Sequence, residues 1–156
     1  MMAKGQEVKY PSARLKGLGE FMVFIQDPTW KPTVINAEIL KKLDMAKGRE
    51  GETVFALKFL GIINNEGTPT SEFDNLKKDF QGVLKRLVLE SYAELFSLIP
   101  PKLANQSRLV KFFGEPVETA EYRAKLFVWL CKQANIELPN VEENFHRARF
   151  DKDNSE

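Results

Sequence analysis

The sequence is short of most features that announce a function. It holds one cysteine, Cys131, in 156 residues. A single thiol cannot close an intramolecular disulfide, so nothing ties the chain to an oxidising compartment. It also holds one histidine, His146, which leaves no His/Cys set at metal-ligand spacing and no nearby Cys–His nucleophile pair. Gly-x-Gly-x-x-Gly, Gly-Lys-Ser/Thr and Gly-x-Ser-x-Gly are all missing, and with them the phosphate-cradling loops and the nucleophile elbow. A non-enzyme without metal or cofactor is therefore expected. No apolar run approaches the roughly 20 residues of a membrane span, and the polar start Met1-Met2-Ala3-Lys4-Gly5-Gln6-Glu7 lacks the apolar stretch of a signal peptide. The expected location is the cytoplasm, away from membranes.

Charge of one sign is missing too. Lys and Arg number 23 against 22 Asp and Glu, for a net charge of +1, and the pI is near 7.8. Domains that hold nucleic acid through phosphates usually show a basic excess, often with a pI above about 9. Residues 1–70 carry ten basic side chains against eight acidic ones, and residues 117–156 carry six against eight. Only the N-terminal part leans basic.

What is present is apolar spacing. With 43% hydrophobic residues and twelve phenylalanines, the chain can bury one good core. Leu15, Leu18, Phe21, Met22 and Ile25 recur at steps of three and four behind Ser12, predicting a first helix capped by Ser12 and ended by Asp27-Pro28. Thr33 is the expected cap of a second, short helix carrying Ala37, Leu40 and Leu43. Val54, Phe55, Leu57, Phe59 and Leu60 predict a third helix, mostly buried, over about 52–60. Gly61 to Thr70 reads as a short β-hairpin or extended loop turning at Asn65-Glu66-Gly67, with Pro69 confined to an edge. Thr70 or Ser71 then caps a segment that, beyond a soft spot near Asp79, becomes the longest helix, carrying Phe80, Val83, Leu84, Leu87, Val88, Ser91, Leu95 and Leu98 and stopped by Pro100-Pro101. A short helix follows at Leu109 to Phe113, closed by Gly114. A last helix starts near Thr119 and buries Ala120, Ala124, Phe127, Val128, Cys131 and Ala134, with Asn135 as its stop.

The expected fold is thus mainly α. A flexible start (1–9) precedes a winged-helix-like subdomain of three helices and a short β-hairpin (10–70), packed as one unit on a C-terminal helical subdomain with one long helix (71–136). A poorly ordered tail (137–156) follows, because the apolar period fades after Leu138-Pro139. Tyr10-Pro11-Ser12, Leu57-Lys58-Phe59-Leu60-Gly61-Ile62, Gly67-Thr68-Pro69-Thr70 and Tyr92-Ala93-Glu94-Leu95-Phe96 together resemble a prokaryotic family known only as domain of unknown function 5343. The resemblance spans most of residues 10–136. It implies a prokaryotic source and the winged helix-turn-helix order, and it brings no activity or site residue with it.

Two function classes remain. The first is a protein-interaction or regulatory module that binds a protein partner or forms a homo-oligomer. Its aromatic anchors would be Trp30, in the Pro28 to Pro32 loop, and Trp129, which falls off the main apolar stripe of its helix. The alternative is a DNA-binding winged helix-turn-helix protein whose third helix enters the major groove, with Lys41, Lys42, Lys47 and Arg49 on the phosphates. Against it, Glu50 and Glu52 open the third helix, and Glu66 sits at the wing tip with no basic neighbour. Three weaker signals have simpler accounts. Glu143-x-x-His146 has the di-iron ligand step, but no second histidine completes such a site. Cys131 lies on an apolar helix face, where a thiol acts as a small hydrophobe. Glu90 and Glu94 form a solvated stripe with Arg86.

Overall fold

The computed structural model describes residues 9–142. Within them the chain is mainly helical: α1 Leu15–Ile25, α2 Ala37–Lys42, α3 Glu50–Phe59, α4 Ser71–Lys78, α5 Phe80–Ser91, α6 Ala93–Leu98, a 3-10 turn at Pro101–Leu103, α7 Gln106–Phe113 and α8 Val117–Gln133. The apolar steps of α1 do what their spacing predicts, and Leu18, Phe21, Met22 and Ile25 are all buried. The helix begins at Leu15 rather than behind Ser12, because the preceding chain is spent differently. Pro11 and Ala13 are buried, Arg14 is extended, and Tyr10 enters the core's aromatic cluster. Thr33 is likewise not a cap. The Ile35 N–H donates to the Gly67 carbonyl (2.8 Å) and its side chain is fully buried, so the chain stays extended there, and Asn36 caps α2 by accepting from the Ile39 N–H at 2.9 Å.

The hairpin expected over 61–70 is reduced to one antiparallel bridge, Ile63 to Pro69. Ile62 and Ile63 are both buried, so consecutive side chains point inward and the alternation of a strand cannot be sustained. Pro69 has no N–H to extend the ladder. Asn64 holds the reversal by accepting from the N–H groups of Glu66 (3.0 Å) and Thr68 (2.9 Å). Gly67 has φ +85°, and a Cβ on it would stand 2.6 Å from the Ile35 carbonyl oxygen. Only glycine accommodates both conditions. The result is a turn clamped onto residues 34–35, without the strands of a wing.

The longest expected helix is three. Thr70 caps α4, Asp79 ends α4 and caps α5 through the Gly82 N–H (3.1 Å), and the helix breaks again at Tyr92. There the backbone leaves helical geometry (φ −108°, ψ 29°) while the ring is fully buried. The break turns Tyr92 into an aromatic hub, stacked on Tyr10 (5.5 Å) and edge-on to Phe59 (5.1 Å) and Phe127 (4.8 Å). The longest helix is instead α8, with 17 residues, which packs on α5 and α7. One continuous buried cluster runs from Ala13 to Ile136. Leu138 and Val141 pack against it, and the Asn140 side chain donates to the Lys102 carbonyl (2.6 Å). Residues 1–8 and 143–156, which include Glu143 and His146, lie outside the described residues.

Candidate functional site

Lys41 and Lys42 end α2, while Lys47 and Arg49 lie in the connection to α3, and all four are exposed. The surface they form is not basic. Between residues 37 and 52 they are matched one for one by Glu38, Asp44, Glu50 and Glu52. Two of these carboxylates are also engaged locally. Glu50 accepts from the Gly48 N–H (3.2 Å), and Glu52 pairs with Arg49 (3.4 Å) and accepts from the Arg14 N–H (3.3 Å). Glu50 and Glu52 suit the first turn of α3, where a helix favours negative charge. The exposed positions of α3 are Gly51 and Phe55, a bare backbone and a hydrocarbon ring where base-edge recognition calls for hydrogen-bonding side chains.

Neither tryptophan stands free in solvent. Trp30 is half-buried, with its ring against Phe24 (5.2 Å), Phe21 (5.6 Å) and Phe73 (5.7 Å). Beside it, the Lys77 ammonium sits 5.0 Å from the Phe73 ring and donates to the carbonyls of Ile25 (2.9 Å) and Asp27 (2.7 Å). The ammonium thereby closes the last turn of α1, and its burial pulls its pKa below the ordinary lysine value. Trp129 is also half-buried against the core, close to where a side chain on Gly19 would stand. Both rings fill the edge of the molecule rather than project from it.

Cys131 is fully buried, and desolvation pushes its thiol well above the ordinary range. The Arg86 guanidinium lies 3.6 Å from Glu90 and holds Glu72 through two N–H···O contacts of 2.6 and 3.1 Å. The Glu90 stripe is thus a solvated charge network. Among the described residues no group of three or more His, Cys, Asp or Glu is placed to hold a metal ion, and no helix is long and apolar enough to cross a membrane.

The feature that sequence spacing misassigned is Leu98. Placed on the buried stripe by its three-residue step from Leu95, it is in fact 64% exposed, and Leu103 beyond the proline pair is 55% exposed. The two leucines flank Pro100-Pro101 at the bend, here the apex, where α6 gives way to the 3-10 turn: Leu98 ends α6 and Leu103 ends the turn. Each ring fixes its own φ, so the backbone of the apex is stiff at two successive residues. Its signal in the sequence was the proline pair itself. Leu98 is the last residue of α6, with no following helical turn to fold it inward. Comparison with protein-family models, with curated proteins and with solved structures finds no match for this chain.

Proposed function

We propose that this chain is a non-catalytic interaction module that pairs with a second copy of itself through the Leu98–Leu103 apex. The observation that carries the reading is the exposure of two large aliphatic side chains, 64% and 55%, on backbone stiffened by Pro100 and Pro101. Burying them gains hydrophobic free energy. The stiff backbone also keeps the ordering cost of association low. A net charge of +1 puts little long-range repulsion between two copies, and a two-fold contact places each apex on its own counterpart. The test is size-exclusion chromatography with light scattering over a concentration series. The mass should rise toward twice the monomer, and a Leu98→Asp/Leu103→Asp variant should stay monomeric. A wild-type chain that remains monomeric throughout sinks the proposal.

The competing role is reading duplex DNA in the winged helix-turn-helix manner, a fold order that the resemblance to domain of unknown function 5343 also suggests. The exposure of Lys41, Lys42, Lys47 and Arg49 favours it, and the matching carboxylates oppose it. If those four carried phosphate contacts, log affinity would fall with log salt at a slope of roughly −3 to −4, and changing all four to glutamate would abolish binding. A tight, sequence-selective mobility shift would replace the interaction reading with this one.

A further inference from the structure

A second surface, sharing no residue with the leucine apex, has a charge that the molecule as a whole lacks. The extended segment from Lys9 to Arg14 runs beside α3 and α8 and is flanked by two open recesses. One recess is lined by Lys9, Pro11, Gly51, Glu52, Phe55 and Arg123. The other lies between Arg14, Leu15, Tyr122 and Lys125. Together their linings hold four cations, Lys9, Arg14, Arg123 and Lys125, against one carboxylate, Glu52. That carboxylate is already engaged by the Arg14 N–H and the Arg49 guanidinium. The guanidinium groups are held in place. Arg123 donates its Nε–H to the Tyr10 carbonyl (3.0 Å), and Arg14 lies 4.2 Å over the Tyr122 ring. Beside Lys9 and Arg123 the first recess offers apolar surface, with Phe55 38% exposed and Pro11 and Gly51 in the same lining.

We propose that this paired recess binds an acidic segment of a partner protein in extended form, its carboxylates on Lys9, Arg14, Arg123 and Lys125 and an apolar side chain against Phe55 and Pro11. The charge of the lining selects an anionic partner, and its aromatic content selects among anions. Single-stranded nucleic acid is held by stacking bases on open ring faces, but Arg14 already occupies one face of Tyr122, which leaves Phe55 as the one exposed ring of the lining. A peptide needs no such platform. Carboxylates take the Arg and Lys contacts while a leucine or phenylalanine side chain fills the recess over Gly51.

Fluorescence anisotropy of the full chain tests this with three probes. These are a short labelled peptide of aspartate and glutamate carrying one leucine and one phenylalanine, the same peptide with every carboxylate replaced by its amide, and a labelled oligothymidylate. The acidic peptide should bind saturably and weaken several-fold between roughly 50 and 200 mM salt. It should lose at least about tenfold in affinity with Lys9→Glu/Lys125→Glu and bind normally with Leu98→Asp/Leu103→Asp. Lys9→Gln/Lys125→Gln serves as a milder pair if charge reversal lowers the helical circular dichroism. Equal binding of the amide peptide, tighter binding of the oligothymidylate, or no binding of the acidic peptide would each overturn the proposal.

Discussion

Burial decides what the chain's two most distinctive polar side chains can do. Cys131 lies on the inner face of α8 with its pKa raised by desolvation, so little thiolate exists at neutral pH to act as a nucleophile. A thiol reagent should therefore modify it only as fast as the protein unfolds, and rapid modification of the native chain would contradict the packing of α8. Tyr92 is the opposite case, a polar group buried without a return. Its hydroxyl has no hydrogen-bond partner among the described residues, and an unsatisfied buried group costs about 1–3 kcal/mol. Tyr92→Phe, which keeps the ring contacts with Tyr10, Phe59 and Phe127, should be neutral or stabilising in a denaturant titration. Tyr92→Ala should cost about 3–5 kcal/mol. A large loss with phenylalanine would mean that the hydroxyl is bonded after all. The inward phase of Cys131 was legible from its place between Phe127, Val128 and Ala134. The exposure of Leu98 was not, because a period says which residues share a face and nothing about whether that face is covered.

Among the elements, the helices were legible where one apolar face meets one core, and misread where a tertiary contact competes with a local signal. Ser12 and Thr33 look like caps in sequence. Pro11, Ala13 and Ile35 are drawn inward instead, so Asn36 caps α2 and α1 starts behind Arg14 with no side-chain cap. Tyr92 lies inside the run expected to form one long helix, yet the hub it forms with α3, α8 and the N-terminal segment outweighs the continuity of that helix. The junction of α4 and α5 is also joined through side chains, Glu72 to Arg86. The hydrogen bonds from Arg86, then Asn75, hold the Glu72 carboxyl below its ordinary value. The stabilisation this implies is complete above the unfolded-state pKa of about 4.3. It is lost as pH falls through the lower native value. Thermal melts of wild type and Glu72→Gln should accordingly differ at pH 7 and converge as the pH is taken down through that window. A difference that stays constant would show that the pair contributes nothing through charge. The pair is partly exposed, with Arg86 43% and Glu72 23% accessible at the side chain, so the gap should be small.

For the whole molecule, spacing and composition foretold a mainly helical chain with one continuous core. The β-hairpin was lost to the burial of both Ile62 and Ile63, a tertiary demand that no local pattern displays. The candidate surfaces were less legible still. Lys41, Lys42, Lys47 and Arg49 cluster in sequence, yet Glu38, Asp44, Glu50 and Glu52 neutralise the stretch that carries them. Lys9, Arg14, Arg123 and Lys125 are scattered in sequence and meet only in the fold. The central claim is that two copies meet at the leucine apex, and the burial of Cys131 permits a direct test, since the native thiol is sheltered from reaction. Leu103→Cys and Val23→Cys each place one accessible thiol on the surface, Val23 being 70% exposed on α1 and outside the apex. Under mild oxidation at equal concentration, Leu103→Cys should form a covalent dimer much faster than Val23→Cys. Equal rates for the two variants would show that the apex meets its counterpart only by random collision, and would contradict the account.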